Sequence, residues 1–252
     1  MKKILSGLLA VAAFSSSAAF AITPQEKTML DNLRKEYPKL NVEDVVYLPS
    51  INLYELRIKN STTLAFTNPN VEYFLMAGEI VGAKNKKNIS AEREIVNTQR
   101  FFNNLPVNKA IVIKYGKGTR KVAIFTDPDC PYCKSSDKDI HSKLNKQDIT
   151  FYYYMNPLRI QGHEEAPLKA RKIWCSADKA KSWLDWIYNE KLPNNPGTCA
   201  NPVAETKALS ESVGFNSTPT LVFDNGFVWR GQVTSEQVTE IFKKGNPIPN
   251  AR

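Results

Sequence analysis

Histidine and cysteine are scarce in this sequence, which has two histidines and four cysteines among 252 residues. A structural zinc site needs about four ligands, and beyond one close cysteine pair only two separated cysteines and the two histidines are available. Haem attachment requires a histidine directly after a Cys-X-X-Cys pair, and Lys134 stands there. We therefore predict no metal site and no other cofactor. His141, on a lysine-rich helix face, and His163, in a polar segment, are predicted to be surface residues.

Long apolar runs are missing after the N-terminus. The apolar run at positions 4–14 is shorter than the ~20 residues that span a bilayer as a helix. Lys2 and Lys3 precede it, and small residues ending at Ala21 follow it, which is the order of a cleavable export signal. We predict a signal peptide over residues 1–21, cleaved after Ala21, and a mature periplasmic chain without stable membrane insertion.

The formal net charge is +9. Basic side chains occur in small groups, such as Lys84, Lys86 and Lys87, and acidic residues are interleaved elsewhere. This pattern indicates a solvated surface, and we predict no nucleic-acid partner.

Residues 22–84 have the pattern of a small α+β domain. A helical segment at 24–37 precedes short β-type runs separated by turn residues, at 42–48, 52–58, 62–67 and 71–76. A core of about 60 residues is marginal alone, so we expect dimerisation to stabilise this domain. We predict that residues 85–107 form a linker between two domains. Its helix would be capped by Ser90 and would end before Pro106.

Residues 108–252 predict a second α+β domain. We expect a hairpin of strands 110–114 and 121–126 around Gly116-Lys117-Gly118, then a helix after Cys130 and a strand at 149–155. Helical composition follows at 167–188 and 203–213. The pattern ends with strands 220–223 and 227–231 and a helix capped by Thr234.

The sequence Cys130-Pro131-Tyr132-Cys133 stands between a predicted strand and a predicted helix. The first sulfur would lie at the helix N-terminus, where unpaired N–H groups and the helix dipole stabilise a thiolate. Pro131 suits the first helical position. We predict that Cys130 is the nucleophile, that Cys133 is the resolving thiol one turn further on, and that Pro131 and Tyr132 support the site.

Two charged neighbours affect the Cys130 thiol in opposite directions. Asp129 disfavours the anion, whereas Lys134 and the helix end favour it. The sum predicts a lowered thiol pKa. A purely structural disulfide between Cys130 and Cys133 is the alternative, although so short a ring constrains the unfolded chain little.

The other two cysteines, Cys175 and Cys199, are 24 positions apart. A bridge that closes such a loop stabilises the fold by roughly 3.5 kcal/mol on the chain-entropy model, so we predict a structural disulfide. A second redox pair is the alternative, but neither cysteine stands at a clear helix start.

Thr218-Pro219 precedes an apolar strand. An ordinary trans proline at the start of a strand is one possibility. The order of elements favours the other, in which Pro219 is cis and faces the two sulfurs, and the Thr218 backbone is free to pair with an extended substrate.

These residues resemble those of the DsbC family of bacterial thiol-disulfide interchange proteins, with DsbG as a sister group. The resemblance rests on Phe125-Thr126-Asp127 before the Cys130 motif, Ile173-Trp174-Cys175 with Cys199, and Ser217-Thr218-Pro219-Thr220. It is strongest over residues 122–231. Pro131 is DsbG-like, whereas the Cys175 and Cys199 pair is DsbC-like. Ile124 stands where thioredoxin has a buried acid, so the proton acceptor for Cys133 is unassigned.

The resemblance implies an α+β fold with an N-terminal cystatin-like dimerisation domain (22–84), a linker helix (85–107) and a C-terminal thioredoxin-like domain with a helical insertion (108–252). It also implies a V-shaped homodimer whose partners are misfolded disulfide-containing exported proteins and a DsbD-type membrane electron donor. By position, Cys130 is the nucleophile, Cys133 the resolving thiol, Pro219 the cis-proline, and Cys175 with Cys199 the structural bridge.

The functional hypothesis is a periplasmic protein disulfide isomerase and reductase with chaperone activity. Two alternatives remain. One is a DsbA-like thiol oxidase, which would not need the block at 22–83. The other is a holdase chaperone or secretion accessory whose thiols are incidental.

Overall fold

The structure is a computed structural model that describes residues 22–76 and 78–244. The predicted signal peptide lies outside these residues. The helices are α1 (Pro24–Glu36), α2 (Ile89–Asn103), α3 (Pro131–Lys143), α4 (Ala166–Trp174), α5 (Lys179–Asn189), α6 (Val203–Ser212) and α7 (Ser235–Lys244). The strands are β1 (Val42–Leu48), β2 (Leu53–Ile58), β3 (Leu64–Thr67), β4 (Phe74–Met76), β5 (Ile111–Tyr115), β6 (Arg120–Thr126), β7 (Ile149–Met155), β8 (Thr220–Phe223) and β9 (Val228–Arg230).

The first four strands form an antiparallel sheet in the order β1-β2-β3-β4. Helix α1 begins at a capping box between Thr23 and Glu26, which satisfies two orphan donors of the first turn. Its apolar face packs on the sheet, in a core cluster formed by Met29, Leu30, Leu33, Val42, Val45, Tyr54, Leu56 and Ala65. The predicted strand at 71–76 begins only at Phe74, because Val71 has a left-handed backbone with φ of 56°.

Helix α2 contacts both sheets. Its N-cap is Asn88, whose side chain accepts a hydrogen bond from the Ala91 amide. The prediction of Ser90 as the cap was wrong, because Ser90 lies inside the helix and its hydroxyl accepts from the Ile80 amide. Near its other end, Phe101 and Phe102 are buried against the second sheet. These two apolar side chains fix the C-terminal end of α2 on that sheet.

The second sheet has five strands in the order β5-β7-β6-β8-β9. Strands β6 and β7 are parallel, and the other pairs are antiparallel. Alternate residues of β6 point to opposite faces: Val122 and Ile124 join a cluster with α3, α5 and α7, and Ala123 and Phe125 join one with the end of α2. Apolar side chains therefore cover both faces of the sheet, which makes β6 and β7 a rigid base for α3.

The predicted hairpin of β5 and β6 was wrong, because β7 lies between these two strands. Helix α3 carries the chain from β6 to the parallel strand β7, as parallel strands require a crossover. The segment at 116–118 passes across the start of β7, where the Lys117 amide donates to Asp148 Oδ1 at 2.7 Å and Thr150 Oγ1 donates to the Gly118 carbonyl at 3.1 Å.

The segment predicted as one helical region at 167–188 forms two helices, α4 and α5, separated by a short break at 175–178. With α6 they form the insertion between β7 and β8. Within the described residues, no helix is both long enough and apolar enough to cross a membrane.

Candidate active site

Cys130 is the N-cap residue of α3, with Pro131 at the first helical position. Its sulfur lies 3.4 Å from the Cys133 amide nitrogen and accepts that hydrogen bond. Cys133 follows one turn later on the inner face of the helix, and both cysteines are buried and unbridged. Tyr132, between them, is 58% exposed. The motif thus presents one sulfur at the helix end, with the second directly behind it.

The two thiols have opposite pKa shifts. A hydrogen bond from the Cys133 side chain, aided by the Cys133 and Tyr132 amides, outweighs burial and lowers the pKa of Cys130 to about 6. Burial, followed by the neighbouring Cys130, raises the pKa of Cys133 well above its ordinary value. At neutral pH the outer sulfur is therefore largely a thiolate and the inner one a thiol. Such a pair can attack a disulfide through the outer sulfur.

Thr218 and Pro219 face the sulfurs from the segment just before β8. The Thr218–Pro219 peptide bond is cis, and Cys130 Sγ lies 3.3 Å from the Thr218 carbonyl oxygen. Thr218 is 88 residues from Cys130 in sequence, so the antiparallel pairing of β6 with β8 brings the two together.

Two lysines surround the entrance to the motif. Lys169 Nζ of α4 lies 2.5 Å from Asp129 Oδ1, so the carboxylate next to Cys130 is paired with a cation. Lys134 binds Glu190 at 2.9 Å. The ring of Trp186 lies under both lysines, with the nitrogens 5.2 Å and 4.3 Å from its centroid.

The prediction that His163 is a surface residue was wrong. Its Nδ1 lies 2.7 Å from Oδ2 of the fully buried Asp127. The same oxygen accepts from the Leu158 amide at 2.7 Å, and Asp127 Oδ1 accepts from the Asp129 amide at 2.8 Å. Asp127 therefore fixes the loop that leads into Cys130.

The prediction that His141 is a surface residue was also wrong, because α3 turns this side chain towards β5 and β7. His141 is 4% exposed and is hydrogen-bonded to two tyrosine hydroxyls, those of Tyr115 and Tyr153. Burial lowers its pKa to about 4, so it is neutral at ordinary pH. On the same helix face, Asp137 is also buried, and burial raises its pKa to about 7.

Cys175 and Cys199 form a disulfide with a Cα–Cα distance of 5.8 Å, inside the usual range. It joins the end of α4 to the loop before α6. Within residues 22–76 and 78–244, no group of three histidine, cysteine or acidic side chains is placed to hold a metal ion.

The sequence reasoning did not identify Asp137, Lys169 and Trp186. Asp137 had a usable signal, since it stands four residues after Cys133 and three before Ile140, on the face predicted to be buried. Lys169 and Trp186 had none, because only the packing of α4 and α5 against α3 places them beside the motif.

Three comparisons bear on this site. Residues 107–246 match the family described as "Thioredoxin-like domain". A Bordetella parapertussis protein named "Probable thiol:disulfide interchange protein DsbC" is 30% identical over 210 residues, which cover 83% of this chain and 71% of that protein. The Salmonella typhimurium "Thiol:disulfide interchange protein DsbC" is 31% identical over 48% of this chain and 49% of its own length.

Among solved structures, a crystal structure of a disulfide interchange protein from Neisseria gonorrhoeae is 44% identical, with a TM-score of 0.51. The match covers 56% of this chain and 98% of that one. Sequence, thiol geometry and fold therefore agree: the chain belongs to the DsbC family of thiol:disulfide interchange proteins, and it is a thiol-disulfide oxidoreductase with a thioredoxin-like domain.

Proposed function

We propose that this chain is a periplasmic disulfide isomerase and reductase that rearranges incorrect disulfides in exported proteins. Cys130 is its nucleophile and Cys133 its resolving thiol. The observation that carries the proposal is the Cys130 thiol at the N-terminus of α3, with a pKa lowered to about 6. A thiol with this pKa is largely ionised at neutral pH and attacks disulfides rapidly.

The reaction begins when the Cys130 thiolate attacks one sulfur of a substrate disulfide. The Cys130–substrate bond forms, the substrate disulfide breaks, and the released sulfur leaves as a thiolate that takes up a proton. A different substrate thiolate can then attack the substrate sulfur of the mixed disulfide. This step forms a new substrate disulfide and releases the Cys130 thiolate, so the substrate is isomerised without net oxidation or reduction.

Reduction follows if Cys133 resolves the mixed disulfide instead. Cys133 loses its proton and attacks the Cys130 sulfur, and the substrate sulfur leaves and is protonated. The substrate gains two electrons and the Cys130–Cys133 pair is oxidised. We propose that a DsbD-type membrane electron donor returns two electrons to this pair.

Substrate binding is assigned to the surface around Tyr132 and Thr218. The exposed Tyr132 ring offers apolar contact beside the sulfur, and the Thr218 backbone just before β8 can pair with an extended chain. Pro219 supports this geometry. The partners proposed are misfolded disulfide-containing exported proteins, which the same apolar contact would hold in a chaperone activity.

We further propose that residues 22–84 are a cystatin-like dimerisation domain, 85–107 a linker and 108–252 the catalytic domain of a homodimer. Strand β4 supports this assignment. In the described part of the chain it pairs with β3 on one side only, and Tyr73, Leu75 and Met76 are 47%, 41% and 56% exposed. An open, apolar edge strand is suited to pairing with a second copy.

The test is the reactivation of scrambled ribonuclease by the mature protein in a glutathione buffer. We expect the wild-type protein to restore ribonuclease activity, Cys130→Ala to restore none, and Cys133→Ala to form mixed disulfides that persist. Oxidation of reduced ribonuclease without rearrangement of the scrambled form would identify an oxidase instead. Full function in the Cys130→Ala/Cys133→Ala double variant would identify a holdase with incidental thiols.

A further inference from the structure

A continuous chain of buried hydrogen bonds runs through the core behind the active-site helix. Trp183 Nε1 donates to Asp137 Oδ2 at 3.0 Å, and the Tyr153 hydroxyl lies 3.1 Å from Asp137 Oδ1. The same hydroxyl lies 2.7 Å from His141 Nε2, and His141 Nδ1 lies 2.9 Å from the Tyr115 hydroxyl. Asp137, Tyr153 and Trp183 are buried, whereas Tyr115 at the end of β5 is partly exposed. The chain thus connects a fully buried carboxyl with the surface.

The inner end of this chain lies next to Cys133. Asp137 follows Cys133 by four residues in α3, and both side chains are buried on the same face. Side chains four apart on a helix have Cβ atoms about 5–6 Å apart. Burial, and then the charges of Asp137 and Cys133, raise the pKa of Tyr153. The sulfur that must lose a proton in the resolving step therefore shares its buried surroundings with this carboxyl.

We propose that Asp137 accepts the proton that leaves Cys133 during resolution, and that Tyr153, His141 and Tyr115 conduct this proton to solvent. The proposal rests on the resolving role of Cys133 proposed above. This role accounts for a buried carboxyl that has no cationic partner among the residues found to contact it.

The groups that face Asp137 are consistent with this task. Burial raises its pKa to about 7, the hydrogen bonds from Tyr153 and Trp183 oppose that shift, and the charge of Cys130 adds to it. Burial, and then the charge of Asp137, raise the pKa of Tyr188 in α5. When Cys130 enters a mixed disulfide its negative charge disappears, so the pKa of Asp137 falls. More of the Asp137 carboxyl is then ionised at neutral pH, and only the ionised form can accept the proton that Cys133 gives up.

The outward transfer balances as four proton shifts. It starts from Asp137 protonated by Cys133, with His141 in its Nδ1–H tautomer and the Tyr153 hydroxyl turned from Asp137 to His141 Nε2. The carboxyl proton moves to the Tyr153 oxygen, and the Tyr153 proton moves to His141 Nε2. The proton on His141 Nδ1 moves to the Tyr115 oxygen, and the former Tyr115 proton enters water. The result is an ionised Asp137 that accepts from Tyr153, with His141 as its other neutral tautomer. Because burial keeps His141 neutral, both tautomers are accessible.

The other buried carboxyl of this region is less suited to the role. Asp127 already accepts hydrogen bonds from two backbone amides and from His163. These bonds hold the loop before Cys130, and protonating Asp127 would weaken them. Asp137 instead accepts from two side chains, Tyr153 and Trp183. When the carboxyl is protonated, the Tyr153 hydroxyl can turn to another acceptor, and the Trp183 bond can remain.

The experiment separates the two thiol steps by stopped flow, with the reduced mature protein in slight excess over Ellman's reagent. Attack by Cys130 releases the first thionitrobenzoate, and attack by Cys133 releases the second. Asp137→Asn can keep the contacts with Tyr153 and Trp183 but cannot accept a proton. We expect its second phase to slow about 10²-fold at pH 7, as for loss of a general base, and to keep rising with pH where the wild-type rate has levelled off.

The matched control is Asp139→Asn, which removes an acid of the same helix that pairs with Lys143 at the surface and should leave both phases unchanged. Tyr153→Phe interrupts the outward route, which acts after Asp137 has taken the proton. With a pH indicator in weakly buffered solution, this variant should release its proton to solvent later than the second thionitrobenzoate, whereas the wild-type protein releases both together. A wild-type second phase in Asp137→Asn would overturn the proposal, and proton release that keeps pace with the second phase in Tyr153→Phe would overturn the route. Absence of a fast first phase in the wild-type protein would instead refute the proposed role of Cys130.

Discussion

The Lys169 ammonium nitrogen lies 2.5 Å from Asp129 Oδ1, so a cation from the insertion neutralises the carboxylate that directly precedes Cys130. The sequence indicated the acid but not its partner. Because an uncompensated carboxylate disfavours a neighbouring thiolate, this ion pair allows Asp129 to stand beside a thiol whose pKa is lowered.

Replacing Lys169 by methionine should therefore raise the pKa of Cys130. A rise of about one pKa unit would slow iodoacetamide alkylation at pH 6 roughly fivefold, because less of the thiol is ionised. The measurement is the pH profile of the alkylation rate. Lys169→Arg keeps the charge and should retain the wild-type profile. Equal profiles for all three proteins would mean that the pair has no influence on Cys130.

The pKa of Cys130 also determines how stability depends on pH. The pKa is lowered from 9.0 to about 6 on folding, so the unfolded state binds the proton more tightly. The thiolate then contributes stability that is fully present above pH 9 and is lost as pH falls through about 6. Thermal unfolding of the reduced protein, compared with Cys130→Ser, should show a stability difference that grows from pH 6 to pH 9. A constant difference would contradict a lowered pKa.

The disulfide between Cys175 and Cys199 should act on stability and not on chemistry. Replacing both cysteines by serine should lower the free energy of unfolding by about 3.5 kcal/mol on the chain-entropy model. Urea unfolding measures this change. The alkylation rate of Cys130 should stay at the wild-type value. Loss of ribonuclease rearrangement in a variant that is still folded would assign a redox role to the second pair.

The elements that the sequence predicts well are those with local signals. The capping box at Thr234 and Gln237 is present as expected, with both reciprocal bonds formed, and Cys130 caps α3 as the motif predicts. Both features depend on contacts within one helical turn, so the residue types alone define them.

The errors arose where distant segments decide the structure. The sequence indicates that β5 and β6 are adjacent, but β7 lies between them because the crossover through α3 returns the chain to that position. His141 stands among lysines in sequence, yet the tyrosine hydroxyls of β5 and β7 bind it in the core. Neither outcome has a signal within a window of a few residues.

Burial of Asp137 should cost stability at neutral and alkaline pH. Its pKa is raised from 3.8 to about 7 on folding, so the folded state holds the proton more tightly and stability falls as pH rises through that interval. The difference corresponds to about 4 kcal/mol above pH 7. Asp137→Asn should therefore be more stable than the wild-type protein at pH 8 and similar to it near pH 4. Urea titrations at both pH values test this, and a variant less stable at both would contradict it.

The edge of β4 should control the oligomeric state. Leu75 and Met76 are exposed on a strand that pairs with β3 on one side, and arginine at both positions would place two charges in the proposed interface between copies. Desolvating unpaired charges is costly, so we expect the wild-type protein to sediment as a dimer and Leu75→Arg/Met76→Arg as a monomer. Val112→Arg, at a similarly exposed position on β5, is the control and should remain dimeric. The monomeric variant should keep the Cys130 alkylation rate, because the thiolate is stabilised within one chain, but lose ribonuclease rearrangement if two sites must act on one substrate. A wild-type protein that sediments as a monomer would refute the dimer and favour the oxidase alternative.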